Sequence, residues 1–511
     1  MSIDGELRGS SVPQVRARTL NAEPVRAKAD FVLYWMIAAR RTRSNFALQR
    51  AVDWAKELGK PLVVFEPLRC GYQWASDRLH AFVIEGMVAN AKLLAGKSVT
   101  YFPYLEPENG AGSGLLAALA RHACLIVTDD YPCFFLPRMT AAAAKKCGVR
   151  MESIDSNGLL PMRAADKVFA RAYDFRRFLQ KNLRQHLQEF PKLDPLRGVK
   201  LPQLDELPKA ISKRWPSAAL DEFSVVSNPA FSVSPQLEAL LAKLPLDHKV
   251  APAMFRGGSA AAASTLKDFL DANFSSYGES RNHPDEPVTS GLSPYLHFGH
   301  ISAHGVVQRV FELEGWKPAA DDKKLGQKRL WDEVSENADA FLDELVTWRE
   351  LGFNMCSKVE NYDSFESLPD WAQATLADHA DDEREFVYSL EEFAAAQTHD
   401  EIWNAAQRQL VLEGRMHNYM RMLWGKKILE WTQSPRDALA VMIELNNKYA
   451  VDGRDPNSYS GIFWILGRYD RAWGPEREIF GKIRYMSCDS TRRKLKLKQY
   501  LEKFGEQQSL F

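Results

Sequence analysis

The chain has no CxxC pair and no cysteine spacing that fits zinc; its six cysteines, at 70, 124, 133, 147, 356 and 488, stand apart. This argues against a disulfide scaffold or a zinc module and reads as reduced thiols in a cytoplasmic protein. Excess charge is missing too. Lys plus Arg and Asp plus Glu each number 66, which argues against a nonspecific polycation but leaves room for a local basic patch. No apolar run approaches the length of a membrane span. The first thirty residues are polar, carry Pro13 and Pro24 and lack the apolar core of a signal peptide, so they read as a flexible arm. No GxGxxG or P-loop follows the first strand, so no standard dinucleotide or triphosphate site is marked there.

At 511 residues there is room for two or more domains. FVLYWMIA (31–38) fits a buried strand, and Asn45 can cap the helix FALQRAVDWAKELG, which Gly59 ends. PLVVFEPL, a helix over 78–96, VTYFPYLE, GLLAALARHA, CLIVTDDY and FFLPRMTAAAAKKCG continue the alternation to Gly148. The expectation is an α/β domain over 31–165 on a doubly wound parallel sheet. A charged amphipathic helix is expected over 166–190. Residues 191–252 hold nine of the 26 prolines, so 166–256 reads as an interdomain helix and linker. From 257 to 511 the pattern is all-α. Its basic end, RRKLKLKQYLEKF (492–504), is either a solvated face or a phosphate contact.

Tryptophan is what the chain has in surplus: eight of 13 fall between 331 and 473. Residues 410–457 gather the densest signals. A helix pattern over 415–431 carries Trp424 and Trp431, seven apart and so about 20° from one face. Ser434-Pro435 stops it, Asn446-Asn447 interrupts the next apolar run, and Asp452 to Asn457 is a turn loaded with carboxylates. Tyr277 and Arg281, followed by Thr289-Ser290-Gly291-Leu292-Ser293 opening a helix, would suit a phosphate cradle; an ordinary capped helix start reads the same. His297, His300 and His304 fall near one helix face, where packing or phosphate contacts outweigh metal binding, and no metal site is assigned. Glu344 and Trp348, at i and i+4, could grip a planar ligand by hydrogen bond and stacking, or be a surface Glu beside a half-buried Trp. Trp403 lies on a helix of its own.

SGLSPYLHFGHIS (290–302), FLDELVTWRE (341–350), THDEIWNAAQ (398–407), GRMHNYMRMLWGKKILEW (414–431), DGRDPNSYSGIFW (452–464) and GKIRYMS (481–487) together resemble the DNA photolyase/cryptochrome family, specifically the class II cyclobutane pyrimidine dimer photolyases. The resemblance covers most of residues 274–490. It implies an α/β N-terminal domain, an all-α domain over 257–511 that binds FAD and UV-damaged DNA, and a monomer that repairs dimers by light-driven electron transfer from fully reduced FAD. It puts the FAD phosphates and ribose on Tyr277 and on Thr289, Ser290, Gly291, Leu292 and Ser293. Asp452, Asp455 and Asn457 fall on the ring and adenosine side, Asn446 at flavin N5, and Arg421 paired with Asp452. Glu344 would hydrogen-bond the flipped dimer between Trp348 and Trp464. Trp403, Trp424 and Trp431 match the photoreduction chain, with Trp424 as its bridge and Tyr388 as a side branch.

Departures from the family pattern are local. Gly305 follows ISAH where relatives often carry Arg, so the plug of the DNA hole must be built differently. Tyr469 stands where relatives usually have His. The segment 313–338 is longer than usual. YWMIAARRTRSNF differs from the usual YWMxRDQRxxDNW, so these residues assign no antenna chromophore to the N-terminal domain. The rival implied by the same flavin is a cryptochrome-like blue-light photoreceptor.

Overall fold

The computed structural model describes residues 7–223, 233–317, 331 and 334–505. The long segment noted at 313–338 lies mostly outside these residues. Contacts divide the chain into two units: Met1–Asp166 with Leu183–Leu266 and Leu292–Leu313, and Lys167–Asn182 with Lys267–Gly291 and Glu314–Phe511.

The first unit is built on six strands: β1 (Ala17–Thr19), β2 (Phe31–Trp35), β3 (Leu62–Leu68), β4 (Thr100–Leu105), β5 (Ala123–Asp129) and β6 (Met151–Ile154), in the order β1-β6-β5-β2-β3-β4. β2 to β6 run parallel, as the alternation predicts. Their sequences are apolar runs because both faces are covered. Val32 and Tyr34 meet the helix Phe46–Leu58 on one face; Phe31, Leu33 and Trp35 meet Leu115–His122 on the other. Asn45 caps the helix Phe46–Leu58 by accepting from the Ala47 and Leu48 amides, and Gly59 ends it at φ 62°. Asp129, at the end of β5, accepts from the amides of Ile37, Ala38 and Ala39 at 2.8–3.0 Å and clamps the loop after β2.

Two expectations for this unit are corrected. Residues 7–30 are not a loose arm: β1 pairs antiparallel with β6, and Arg16 is fully buried, donating to the carbonyls of Gly158 and Leu159. The proline-rich 191–252 is part of the sheet unit and not a passive linker. Leu196 and Leu201 enter one core face, Ile211 and Trp215 the other, and Leu237 and Leu241 pack with the helix Asp77–Leu94. Apolar burial of this size contributes roughly 1.5–3 kcal/mol per large side chain. The charged helix expected over 166–190 is shorter, Ala172–Asn182, followed by the turn Arg184–Gln188.

The second unit is helical. Phe269, Phe274, Tyr277 and Phe341 pack edge to face. Gly352 lets the helix Arg349–Lys358 press on Pro456–Ile465: a Cβ there would stand 2.6 Å from the Pro456 carbonyl oxygen. Gly425 does the same against Ile465. The helix read over 415–431 begins at Asn418, and Trp431 closes it.

Candidate functional site

Glu344 and Trp348 lie on a π-helical turn, Asp343–Trp348, set between the helices Glu336–Leu342 and Arg349–Lys358. Such insertions concentrate at functional sites. Glu344 Oε1 accepts from Arg281 Nη1 at 2.6 Å, with both side chains about one-third exposed. The charge of Arg281 is thus engaged by a carboxylate, and its guanidinium lies 5.7 Å over the Tyr277 ring. Burial raises the Glu344 pKa above the usual carboxylate range, although Arg281 pulls it down. Burial, and then the negative charge of Glu344, push Tyr277 up to about 12. Next to Glu344, Asp343 receives a two-pronged contact from Arg176 at 2.9 and 3.0 Å.

A second group surrounds the turn after the helix Pro435–Tyr449. Asn446 is buried and donates to Ser458 Oγ at 2.8 Å and to Asn447 Oδ1 at 3.2 Å. Arg421 Nη2 stands 3.5 Å from Asp452 Oδ1, the pairing that the resemblance implies. Asp455 caps the helix Pro456–Ile465 and accepts from the Asn457 amide at 2.8 Å. One turn before Arg421, the ring nitrogens of His417 are buried, and burial lowers its pKa to about 4 although a hydrogen bond at the Arg281 backbone pulls it up.

The three tryptophans form a stack whose order differs from the expected one. Trp403 is the middle ring: it lies parallel to Trp424 at 6.5 Å and meets Trp431 at 6.2 Å. Trp424 is therefore an end and not the bridge. Trp403 Nε1 donates to the Trp424 carbonyl and Trp424 Nε1 to Gln407, both at 2.9 Å. Trp431 meets Tyr388 at 5.9 Å.

Trp464 lines an open cavity of about 430 Å³ together with Tyr419, Trp473, Arg477, Arg484 and Lys494. Arg484 lies 5.3 Å over Trp464 and 4.1 Å over Trp473. The buried Lys426 approaches Trp464 at 5.1 Å and donates to the Ile465 carbonyl at 2.6 Å. Glu344 and Trp348 do not line this cavity.

The boundary between the two units falls within 289–293, after Gly291, and the helix that Ser293 opens has only five residues. The three histidines do not share a helix: His297 ends one, His300 lies in the turn and His304 starts the next. His300 accepts from the Gly258 amide and stacks on Phe82, and burial lowers its pKa to about 3, as packing predicts. Of the basic C-terminal residues, Arg492, Lys496 and Lys503 pair with Glu401, Glu286 and Glu413.

No protein-family model matches the chain. Full-length relatives do. A deoxyribodipyrimidine photo-lyase of Methanothermobacter thermautotrophicus is 34% identical over 96% of this chain and 97% of its own length. That of Arabidopsis thaliana is 33% identical over 94% and 90%, and that of Potorous tridactylus 31% over 93% and 81%. The chain belongs to the photolyase/cryptochrome family. Solved structures agree on this photolyase-like fold. A bacterial class III photolyase from Agrobacterium tumefaciens superposes with a TM-score of 0.64 at 16% identity, covering 93% of this chain and 86% of that one. An archaeal photolyase from Sulfolobus tokodaii, solved with two FAD molecules, gives 0.58 at 14%, covering 93% and 90%.

Within this photolyase-family chain the sequence reading missed His417, Lys426, Ser458, Gln407 and the Arg176–Asp343 pair. His417, Lys426, Gln407, Ser458 and Asp343 all stand inside the quoted motifs, so the motifs were the available signal; nothing in the local pattern marks Arg176. Among the described residues no helix is long and apolar enough to cross a membrane.

Proposed function

We propose that this chain is a light-driven carbon–carbon lyase that splits cyclobutane pyrimidine dimers in UV-damaged DNA, with FAD as cofactor and class II as its branch of the family. The observation that carries this is the 31–34% identity, over 92–96% of the chain, to four proteins named deoxyribodipyrimidine photo-lyase. The chain's own residues fit the cofactor. Arg421 beside Asp452 offers positive charge without net charge, which suits an electron-rich ring.

Bound in its fully reduced form, FAD would supply the light-driven one-electron chemistry that opens the dimer. The chain does the rest. Asn446, whose two Nδ2 hydrogens go to Ser458 and Asn447, presents its Oδ1, which would accept from a protonated ring nitrogen. Tyr277 and residues 289–293 would take the phosphates and ribose, and Asp455 and Asn457 the adenosine side. Glu344 retains a proton more readily than an exposed carboxyl and can donate it from Oε2 to a base carbonyl while Oε1 stays with Arg281. Trp348 and Trp464 are the stacking walls. A crosslinked dimer is already poorly stacked, so extruding it costs little, and stacking on indole returns about 1–3 kcal/mol per base. Arg477 and Lys494, which line the cavity, would supply phosphate contacts. Trp431, Trp403 and Trp424, in that order, would carry electrons inward to keep the cofactor reduced.

The test is anaerobic. The purified protein is reduced with light and a thiol, given an oligonucleotide with one thymine dimer, and illuminated in the near ultraviolet. Recovery of thymine absorbance that requires both light and protein is expected. Flavin photoreduction without recovery would refute the lyase and favour a photoreceptor.

A further inference from the structure

The tryptophan stack does not end at Trp431. Tyr388 and His399 both lie against that ring, at 5.9 and 4.8 Å between centroids. They are also joined to each other. The Tyr388 hydroxyl is 2.7 Å from His399 Nδ1, and the same oxygen accepts from the His399 backbone amide at 3.0 Å. With its lone pair engaged by that amide, the phenol has its own proton free to donate to Nδ1. The Tyr388 amide is fixed as well, donating to the Trp431 carbonyl at 3.0 Å. Burial falls along the series: Trp403 and Trp424 are enclosed, Trp431 is 4% exposed, Tyr388 is half-buried and His399 is exposed. Phe386 stacks on the outer imidazole at 3.9 Å and holds it in place.

We propose that His399 is the proton acceptor that makes Tyr388 the terminal electron donor of the stack. The proposal rests on the flavin reading above. Once Trp431 has passed an electron inward through Trp403 and Trp424 to the light-excited flavin, it is an indole radical cation. Tyr388 gives it one electron. A phenol that loses an electron becomes a very strong acid, so the transfer is favourable only if the proton leaves with it. The O–H bond breaks and the proton moves to Nδ1, within the heavy-atom range of productive proton transfer. The products are neutral Trp431, a neutral Tyr388 phenoxyl radical and an imidazolium at His399. An external thiol returns a hydrogen atom to the phenoxyl, and the imidazolium releases its proton to the water that reaches it. A neutral phenoxyl attracts the returning electron less than an indole radical cation does, so the arrangement protects the inward electron from recombination. His399 is a positioning and proton-accepting residue.

The test separates this from a purely structural hydrogen bond, and from the flavin reading. Full-length protein is oxidised at indole by azidyl radicals, which needs no flavin, and in parallel the flavin-loaded protein is flashed with blue light. Expected in both is a phenoxyl absorption and electron paramagnetic resonance spectrum that appears as the indole radical decays and forms more slowly in D2O. Tyr388→Phe should abolish it. His399→Gln should slow its formation roughly 10²-fold, the contribution of a positioned base, and added imidazole should restore part of the rate. Phenoxyl formation at the native rate in His399→Gln overturns the proposal, and so does the absence of any phenoxyl in the native protein. A protein that forms the phenoxyl after azidyl oxidation but binds no flavin would support the Tyr388–His399 pair and overturn the functional reading alone.

Discussion

Replacing Glu344 separates a structural role from a chemical one, because its two oxygens do different things. Oε1 accepts the 2.6 Å bond from Arg281, whose side chain is 30% exposed. Removing the carboxylate leaves a guanidinium that water still reaches. A pair of this exposure is worth about 0–1 kcal/mol, so Glu344→Ala should barely change the unfolding temperature. The lesion contact is larger: a hydrogen bond to a charged or strongly polarised group contributes about 1.5–3 kcal/mol when its partner is desolvated. That corresponds to roughly 10–150-fold in kcat/KM for repair. The assay is dimer repair by anaerobically reduced protein at equal flavin content, with thermal unfolding alongside. Glu344→Gln keeps a donor and should recover most of the loss. The pH profile gives an independent reading. The Glu344 pKa is raised, so the proton is held at low pH and lost as pH rises through that value; repair should fall on the alkaline side in the native protein and stay flat in Glu344→Gln. Loss of flavin in Glu344→Ala, or a stability loss large enough to account for the repair defect, would refute the reasoning.

Trp403→Phe breaks the middle of the stack and should slow light-driven reduction of oxidised flavin, followed by bleaching of its visible band; equal impairment of the chemically reduced protein would place Trp403 in cofactor seating. Gly352→Val sets a side chain 2.6 Å from the Pro456 oxygen and 2.7 Å from Ser460 Oγ, an overpacking that should cost about 1–3 kcal/mol or more in denaturant unfolding. Asn45→Ala removes a cap and the Nδ2 bonds to Ala39, Arg41 and Tyr34, and should cost about 1–2 kcal/mol by the same measurement. Burial lowers the Lys426 pKa from 10.5 to about 7. The unfolded chain therefore binds more protons between those values, and stability should rise with pH by up to about 1.4 kcal/mol per unit. Lys426→Met should flatten that slope in thermal melts taken across the range.

The parallel strands were legible because a strand covered on both faces must be apolar along its length, as FVLYW is. The same logic hid β1. Its three residues, Ala17–Thr19, are half-buried or exposed, and its partner β6 lies more than a hundred residues away, so no local period marks it. Residues 191–252 were misread for a related reason. Proline breaks regular backbone into short pieces without excluding burial: Ile211 and Leu237 plug the core from the short helices Lys209–Arg214 and Pro235–Leu241, and Trp215 closes the first of them. In the site, the motifs supplied residue identities but not the order of the rings. Trp424 and Trp431 share a helix, whereas Trp403 comes from Glu401–Glu413 and enters between them through the packing of two helices. Sequence separation carries no record of that crossing.

The π-helical turn explains why periodicity found Glu344 and Trp348 but not the frame that holds them. One residue added to a turn rotates everything after it by about 100°. Read as a continuous α-helix, residues 336–358 would aim Gly352 away from the face it occupies. The inserted turn, in which the Arg349 amide reaches back to the Glu344 carbonyl, resets the phase so that Gly352 meets the helix Pro456–Ile465. That helix carries Trp464 and Ser458, and Ser458 orients Asn446. The backbone irregularity thus lets one helix present a carboxyl and an indole on one turn and still dock closely on the element that positions the other indole and the amide. Restoring regular α-helix by deleting one residue of 343–348 should therefore separate these groups, although every side chain named in the site could be kept.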